Sequence, residues 1–522
     1  MLGHRAPRRL RAPLRPARLR LAVAPVVVLA LVASALPALA DAPARPTAAA
    51  VSAPLTAAGC PHWGRAGLAA DPRPHALRVF AIQLHQQPAT MSTASDFARM
   101  IDCAFRREVV PHLARGRTNL VVFDEDLGLQ TLAIGPRGAP ARTLLHAGVP
   151  SCAGQSLCPT IHTVGALDSG YARALSYLQG RFPSLTAELG KAFVAATDTF
   201  VRVFMGTMAA EARRYGVYVI AANTQAPFRV DRSAAAVAAL ADPGDRRVSA
   251  VYAPTSPHVY NETFVWAPRV LRRGAPAPVA NLLATVRKVP LTTFESTLGF
   301  SPGPASGPAA RRNIAPVVIP GTGARLGIAT SLPAFQYGTA TRAHACDDVA
   351  VTYMRCLDRL GANVLIQADA NDGAWTGNDG SELWQPLSWM GSAWRAVSDP
   401  TVHFTYAVNP FMVGNLSDIP FDGQSAILER GRRGNDCHYV GNARVVPGDD
   451  PARYRAYAGA KPQFLALAPW AAADGPRPAL RADGAALGYG GARADRYVQT
   501  AVIADLPFPV DRVRPGCVMA GR

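Results

Sequence analysis

The sequence predicts a layered α/β sandwich, in which short strands and helices mix along the whole chain. Apolar runs without charge, such as residues 119–123 and 326–330, have the length and composition of strands covered on both faces. Other segments, such as residues 95–114, place apolar side chains at helical spacing. No repeat of fixed period occurs, which argues against a solenoid.

The predicted elements follow in chain order. Strands are expected at residues 77–84, 119–123, 217–222, 259–266, 326–330, 362–367, 404–408, 425–428 and 497–503. Helices are expected at residues 95–114, 193–215, 347–360 and 384–397. Residues 128–182 fit neither pattern, so we interpret about 128–190 as an irregular insertion, and the Gly-, Ala- and Pro-rich residues 430–495 are expected to be irregular too.

The first forty residues have the composition of an export signal. Residues 1–20 are rich in arginine, residues 21–39 are apolar, and Ala38-Leu39-Ala40 fits a small-residue cleavage site. The apolar run is long for a signal, so a membrane anchor at residues 21–39 is the alternative. A secreted or extracytoplasmic protein is therefore expected, with a linker at 41–76, a main domain at 77–506 and a tail at 507–522.

The net charge of +18 arises partly from this N-terminus, because residues 1–40 carry seven arginines and no acidic residue, leaving +11 for the rest. The remaining basic residues are scattered and do not alternate with aromatic ones, which argues against nucleic-acid binding. No later segment is long and apolar enough to span a bilayer, so the body is expected to be soluble.

Eight cysteines follow the proposed signal, and an even number favours disulfides in an exported protein. Cys152 and Cys158 are close enough in sequence to close a small loop. Cys346 and Cys356 are not expected to pair, because a helix predicted between them would hold them ~15 Å apart. The other connections stay open, and no cysteine spacing indicates a zinc site.

Three polar residues stand at or near predicted strand ends: Glu125, Lys288 and Ser331. Together they suit amide hydrolysis, since a carboxylate can take a proton, an ammonium can offset an oxyanion and a hydroxyl can carry an acyl group. Each residue also has a plainer interpretation. Ser331 would then only bond nearby backbone, and Glu125 and Lys288 would be ordinary charges at strand ends.

The motifs around these residues resemble, in their order, the nitrilase or carbon–nitrogen hydrolase superfamily over about residues 77–505. The stretch LVVFDE at 120–125 resembles the strand that ends in the catalytic glutamate, KVPL at 288–291 the lysine motif, and LGIATS at 326–331 the strand that delivers the nucleophile. Weaker matches lie at residues 209–225, 259–266 and 357–372. NDGAWTG at 371–377 resembles the apolipoprotein N-acyltransferase catalytic domain, and the layout is similar to secreted pantetheinase and biotinidase.

This resemblance implies a four-layer α-β-β-α sandwich that hydrolyses an amide, or transfers its acyl group, without a metal or organic cofactor. It implies Glu125 as the base, Lys288 as the oxyanion partner, Ser331 as the nucleophile and Glu295 as a support. It places Asn371 and Trp375 at the substrate pocket, although the core is an equally good place for Trp375. The expected partner is a small amide or acyl substrate. Members of the family often pair with a second copy across the helix layer, and the sequence leaves open whether this chain does.

Two positions depart from the family pattern. The family nucleophile is a cysteine, whose thiol has a pKa of about 8.5, whereas the hydroxyl of Ser331 is far less acidic and needs stronger base assistance. Asp124 stands where most members have proline. Its carboxylate lies next to that of Glu125 in the sequence, and repulsion between the two like charges favours a raised pKa for one of these carboxyl groups.

Two functions therefore stay open. One is an active hydrolase that uses Ser331, and the other is a catalytically silent protein that keeps the pocket and binds a ligand or partner. Lipoprotein N-acyl transfer is a weaker third, because the sequence lacks the multi-span membrane domain of that enzyme.

Overall fold

The computed structural model describes residues 60–147, 149–152, 158–185, 190–245, 248–375, 377, 385–431, 437, 464–470, 497–510 and 516–521. The proposed signal or anchor at residues 1–40 lies outside the described residues, as does most of the stretch at 430–495. Within the described ranges, no helix combines the length and apolar character needed to cross a bilayer.

The strands of the described residues, in chain order, are β1 (Gly67–Ala69), β2 (Leu77–Gln83), β3 (His85–Gln86), β4 (Asn119–Val122), β5 (Tyr218–Gln225), β6 (Phe228–Asp231), β7 (Val251–Pro254), β8 (Tyr260–Trp266), β9 (Leu282–Arg287), β10 (Val317–Val318), β11 (Arg325–Ile328), β12 (Val364–Ile366), β13 (Tyr406–Asn409), β14 (Val413–Leu416), β15 (Ile419–Phe421), β16 (Ala426–Glu429), β17 (Phe464–Leu467), β18 (Thr500–Leu506) and β19 (Val518–Met519).

The α-helices of the same residues are α1 (Ala94–Ala104), α2 (Gly135–Ala147), α3 (Cys158–Gly170), α4 (Ala172–Arg181), α5 (Lys191–Ala195), α6 (Thr197–Thr199), α7 (Gly206–Tyr215), α8 (Ala234–Leu240), α9 (Thr293–Thr297), α10 (Gly307–Asn313), α11 (Val349–Arg359) and α12 (Gln385–Ser398). Phe105–Val109 and Phe200–Met205 continue neighbouring helices as π-helical turns. Short 3-10 helices follow β4 at Leu127–Ala133 and β11 at Leu332–Phe335.

Two large mixed sheets dominate the described structure. The first has the strand order β1-β18-β2-β4-β5-β8-β9, with β2, β4 and β5 parallel at its centre. The second has the order β10-β11-β12-β13-β16-β17-β19, with β11, β12 and β13 parallel. Because β8 is antiparallel to both β5 and β9, strand β9 runs in the same direction as β4. The carboxyl ends of β4 and β9 therefore lie at the same edge of the first sheet.

The alternation of side chains along a strand divides the apolar residues between two faces. Leu120 and Val122 of β4 belong to a buried cluster that also holds Leu326 and Ile328 of β11, so the two large sheets share one core. Val121, which lies between them, belongs to a second cluster with residues of α1 and α7. Helices α11 and α12 form a third cluster with the second sheet. The predicted mixed α/β class is confirmed.

The helix boundaries follow local capping chemistry. At α1, the hydroxyl of Thr93 accepts a hydrogen bond from the backbone N–H of Asp96, and the Asp96 carboxylate accepts one from the backbone N–H of Thr93. This reciprocal capping box satisfies two donors that a helix start leaves unpaired. The same device begins α9, where Thr292 and Glu295 cap each other, and it becomes important for the site below.

Three regions differ from the prediction. The supposedly irregular residues 128–182 contain α2, α3 and α4 in their described part. Helices α2 and α3 carry no clear apolar stripe, so helical periodicity could not reveal them. The expected linker contributes β1, which pairs with β18, and the expected tail contributes β19, which pairs with β17. Strands of two or three residues are too short to show a pattern.

All eight cysteines lie within the described residues and pair as Cys60–Cys103, Cys152–Cys158, Cys346–Cys356 and Cys437–Cys517. The predicted disulfides, including the small loop closed by Cys152 and Cys158, are confirmed.

The expectation that Cys346 and Cys356 do not pair is wrong. Helix α11 begins only at Val349, so Cys346 lies in the turn that precedes it. That turn folds back along the helix, where the Thr352 hydroxyl donates to the backbone oxygen of Ala345 at 2.8 Å. The two Cα atoms are consequently 4.8 Å apart instead of a helix length.

Candidate active site

Glu125 lies just beyond the carboxyl end of β4 and is 2% exposed. Its Oε1 accepts hydrogen bonds from Lys288 Nζ at 2.8 Å and from Asn261 Nδ2 at 2.7 Å. Its Oε2 accepts a third from the backbone N–H of Ala370 at 3.1 Å. Donors from β8, from the end of β9 and from the loop after β12 thus hold the carboxylate in one orientation.

Lys288 follows the end of β9, and its Nζ lies between two carboxylates, 2.8 Å from Glu125 Oε1 and 2.9 Å from Glu295 Oε2. Thr292 fixes Glu295 through the capping box of α9, with its backbone N–H 2.8 Å from Glu295 Oε2. Asn261 Nδ2 donates to Glu295 Oε1 at 2.8 Å as well as to Glu125. Glu295 is therefore held in contact with Lys288, and its supporting role in a reaction stays a prediction.

The charges of this group depend on one another. Burial alone would lower the pKa of Lys288, but Glu125 and Glu295 outweigh it and raise the pKa above its ordinary value. Burial raises the pKa of Glu125, and Lys288 offsets only part of that effect. Burial would also raise the pKa of Glu295, yet Lys288 and the Thr292 backbone lower it overall. Of the two carboxylates, Glu125 is thus the one disposed to take up a proton.

Ser331 follows β11 and is 3% exposed. Its backbone has φ +59° and ψ −120°, a conformation that costs an L-residue energy and clusters at functional sites. The Ser331 N–H donates to the backbone oxygen of Ala368 at 3.1 Å, and the 3-10 helix Leu332–Phe335 begins immediately afterwards. A sharp turn from strand to helix with a strained residue at its apex is also the geometry of the nucleophile elbow in α/β-hydrolases.

The loop after β12 connects Ser331 to Glu125. Ala368 accepts from the Ser331 N–H, and Ala370, two residues later, donates to Glu125 Oε2. Between them, Asp369 is fully buried, and its Oδ2 accepts from Gln367 Nε2 at 2.9 Å and Asn409 Nδ2 at 2.8 Å. Burial raises the pKa of Asp369 well above its usual range. One anchored loop therefore contacts both residues, although no hydrogen bond to Ser331 Oγ is found within the described residues.

A second connection joins the two large sheets next to the site. Thr263 Oγ1 of β8 and Thr330 Oγ1, at the end of β11, lie 2.6 Å apart, and both residues are buried. Thr330 directly precedes Ser331, and Thr263 lies two positions after Asn261 on the same strand. This hydrogen bond fixes β11, which leads to Ser331, against β8, which carries Asn261. Asn261 is the residue that donates to both Glu125 and Glu295.

Two further carboxyl groups flank Glu125. Asp124 is fully buried, its Oδ2 accepts from Gln86 Nε2 at 2.9 Å, and burial raises its pKa well above the ordinary value. Asp126 has a left-handed backbone with φ +57°, and its Oδ1 accepts from Thr224 Oγ1 at 2.9 Å. Burial, and after it the charge of Glu125, raises the pKa of Asp126 to about 8. The charges of Asp126 and Glu125 raise the pKa of Asp124 further, but burial is the largest cause.

The two residues expected at the substrate pocket are both buried in the segment between β12 and α12. Asn371 is buried and donates to the backbone oxygen of Asp422 at 3.2 Å. Trp375 is fully buried in the cluster beneath α11 and α12, edge-to-face with Phe411, and its Nε1 donates to Gln424 Oε1 at 3.4 Å. Their contact with a substrate stays a prediction.

Possible ligand sites elsewhere were compared with this group. Cavities of about 510 and 320 Å³ lie in the described structure, and neither has Glu125, Lys288 or Ser331 in its lining. Cys152, Cys158 and His162 lie close enough together to hold a metal ion, but both sulfurs are in a disulfide and offer no thiolate.

Sequence reasoning missed Asn261, Asp369 and the pair Thr263–Thr330 as parts of the site. Asn261 lies in VYNETFVW, one of the weaker matching stretches, so its signal was present but not used. Asp369 follows the predicted strand 362–367, and a polar residue just beyond a buried strand was an available signal too. The threonine pair has no sequence signal, since it depends on how two sheets face each other.

Comparisons with known proteins gave matches among solved structures alone. No protein-family model and no curated protein matches the sequence. The chain is similar to an amidase from Nesterenkonia sp. AN1 that carries an acrylamide adduct on its active-site cysteine, with 14% identity, 68% of this chain and 85% of that chain covered, and a TM-score of 0.32.

Two further structures are similar to the same extent. A variant of the Nesterenkonia amidase, described as belonging to the nitrilase superfamily, has 14% identity, covers 69% of this chain and 86% of its own, and has a TM-score of 0.32. A carbon–nitrogen hydrolase from Helicobacter pylori has 14% identity, with 68% and 83% covered and a TM-score of 0.32.

Proposed function

We propose that this protein is an exported carbon–nitrogen hydrolase-type enzyme that cleaves a non-peptide amide, or transfers its acyl group, through an acyl-enzyme on Ser331. The observation that carries the proposal is the buried group in which Glu125 binds Lys288, Asn261 and Ala370. The proposal includes the finer fold, a four-layer α-β-β-α sandwich, for which the shared sheet core and the two helix-side clusters are the support. Export is supported by the four disulfides, which persist in oxidising compartments.

The proposed reaction begins with attack of Ser331 Oγ on the amide carbonyl carbon while its proton passes to Glu125. The carbonyl oxygen becomes an oxyanion, and the ammonium of Lys288 offsets its charge. When the C–N bond breaks, Glu125 returns the proton to the leaving amine. Water, or an acceptor amine in acyl transfer, then attacks the carbonyl carbon of the serine ester and gives its proton to Glu125. Glu125 returns a proton to Ser331 Oγ as the ester C–O bond breaks, which restores the free serine and the Glu125 carboxylate.

The raised pKa of Glu125 supports its role as base, because a carboxylate must hold the proton of a weakly acidic hydroxyl long enough to pass it on. Glu295, with a lowered pKa, stays ionised and keeps Lys288 charged while Glu125 changes its protonation state. The two carboxylates around Lys288 therefore have different roles. Glu125 transfers the proton, and Glu295 keeps the lysine protonated.

The strained backbone of Ser331 supports its role as nucleophile. A residue held at φ +59° is retained only where its surroundings overdetermine it, and here the N–H bond to Ala368 and the following 3-10 helix do so. Such a turn raises the side chain of the apex residue away from its strand.

The proposal is tested by intact-mass spectrometry of the purified protein after incubation with a panel of activated amides and esters. We expect an added acyl mass on wild type that is absent from Ser331→Ala and strongly reduced in Glu125→Gln. Ser256→Ala, at a half-buried serine on the loop after β7, serves as the control and should acylate like wild type. An adduct that persists in Ser331→Ala would overturn the assignment.

A second function is favoured by one observation, the lack of a hydrogen bond to Ser331 Oγ among the described residues. A catalytically silent protein that binds a small ligand or a partner through the same pocket would explain it, since a serine then replaces the reactive cysteine without a base to activate it. The variant Ser331→Cys separates the two functions. Acylation of Ser331→Cys alone would support the silent pocket, and acylation of wild type would support the hydrolase.

A further inference from the structure

A second cavity lies apart from the proposed catalytic group. It has a volume of about 320 Å³ and is lined by residues 60–66 together with Arg107, Glu108 and His112. The disulfide Cys60–Cys103 fastens its one wall to α1, and the π-helical turn Phe105–Val109 provides the other. A π-helical turn within a helix is often found at functional sites.

Two lining residues of this cavity carry buried polar atoms that the protein leaves unpaired. Glu108 is 3% exposed, and its Oε2 has no hydrogen-bond partner among the described residues. Trp63 is 9% exposed, and its Nε1 likewise has none within the described part of the chain. Buried polar atoms without partners are uncommon in folded proteins, because each has lost its hydrogen bonds to water without replacement. Both of these atoms belong to residues that line one cavity, which points to a ligand there.

The chemistry of the lining selects the kind of ligand. An indole N–H only donates, so its partner must be an acceptor. A cation would suit Glu108 alone and would be repelled by the charges of Arg65 and Arg107, which also line the cavity. An oxyanion accepts from Trp63 Nε1, accepts from Glu108 when that carboxyl is protonated, and is attracted by both arginines. We propose that this cavity binds a small oxyanion, a carboxylate or a sulfate-like group, between Trp63 and Glu108.

The protonation state of Glu108 fits this role. Burial raises its pKa to about 7, with partial offsets from a hydrogen bond to the Ala501 backbone and from the charge of Arg107. The other ionisable residues that line the cavity are His62, Arg65, Arg107 and His112, and burial followed by Arg78 lowers the pKa of His112. An oxyanion therefore finds a neutral donor at Glu108 below neutral pH and a repelling carboxylate above it.

The proposal is tested by calorimetric titration of the purified protein with acetate and with sulfate, two anions that keep their charge across the range used. Only the protonated fraction of Glu108 is competent, so the apparent affinity should fall about tenfold between pH ~6 and pH ~8. Glu108→Gln keeps a neutral donor that cannot titrate, and it should bind equally well at both pH values. Trp63→Phe keeps the ring and removes the N–H, and it should weaken binding about tenfold or more.

The comparison of the two anions identifies the source of the ligand, since tighter acetate indicates a carboxylate and tighter sulfate indicates a sulfate- or phosphate-like group. Glu211→Gln is the matched control, because Glu211 is also a buried glutamate with an unpaired Oε2 but does not line this cavity. It should leave affinity and pH dependence unchanged.

Four results would overturn the proposal: no binding of either anion, binding that ignores Trp63→Phe, a pH dependence that persists in Glu108→Gln, and preferential binding of methylammonium at the higher pH. A persistent pH dependence would assign the effect to His62 or His112 instead of Glu108. If Trp63→Phe fails to fold, the pH profile of Glu108→Gln decides alone.

Discussion

Glu125 and Glu108 are both glutamates buried beside the first large sheet, 2% and 3% exposed, yet their surroundings differ in every other respect. Glu125 receives three hydrogen bonds and lies 2.8 Å from an ammonium. Glu108 has an unpaired oxygen and Arg107 as its main charged neighbour. Burial raises the pKa of both, and a cation offsets part of that rise in each, Lys288 at Glu125 and Arg107 at Glu108. Burial alone therefore does not distinguish the carboxylate that we propose as the base, whereas its hydrogen-bond partners do.

The largest expected effect comes from removing the cation from the Glu125 group. Lys288→Met leaves Glu125 and Glu295 facing each other without compensation, and breaking a buried pair of this kind costs about 3–5 kcal/mol. Urea unfolding should show this loss in the free energy of unfolding.

The matched control is Lys191→Met, which removes a lysine 3.0 Å from Asp168 at a partly exposed site. Exposed ion pairs contribute at most about 1 kcal/mol, so this variant should unfold almost like wild type. If both lysine variants lost the same free energy of unfolding, the buried ion pairs of Lys288 would matter no more to stability than the partly exposed pair of Lys191.

The second largest effect is expected for the pH dependence of stability at Glu108. In the folded state its pKa is about 7, above the ordinary value of 4.5. Between pH 4.5 and about 7, the folded state therefore keeps the Glu108 proton whereas the unfolded state has released it. Stability is therefore lost as pH rises through that window. Glu108→Gln should unfold like wild type near pH ~4 and be more stable by about 3 kcal/mol near pH ~8. Thermal unfolding across this range measures it, and a constant difference at all pH values would count against the assignment.

The smallest effect concerns the hydrogen bond that joins the two sheets beside the site. Thr330→Val keeps the shape of the side chain and removes the 2.6 Å contact with Thr263, which should cost about 1 kcal/mol. A double-mutant cycle with Thr263→Val isolates the pairwise contribution, because the two changes should not add. If they add fully, the threonines do not couple the strand of Ser331 to the strand of Asn261.

Several features of the fold were predictable because they depend on a few consecutive residues. The strand before Glu125 is a run of apolar residues, and the helix α1 shows its apolar face at helical spacing. The disulfides followed from an even number of cysteines. The helices α2 and α3 were not predictable, since packing rather than an apolar stripe stabilises them, and the pair Cys346–Cys356 was misjudged because the helix start was placed too early.

By itself, the sequence determined which reactive or charged side chains stand at strand ends, namely Glu125, Lys288 and Ser331. A polar residue that follows a buried apolar run is visible in the local sequence. Only the tertiary structure decided that Glu125 and Lys288 meet, that Glu295 and Asn261 complete their group, and that one loop contacts both Ser331 and Glu125. The unpaired buried atoms of Glu108 and Trp63 were likewise decided by the tertiary structure alone. The physical reason is that partners across strands and sheets are set by chain direction, register and sheet packing, which join residues far apart in the sequence.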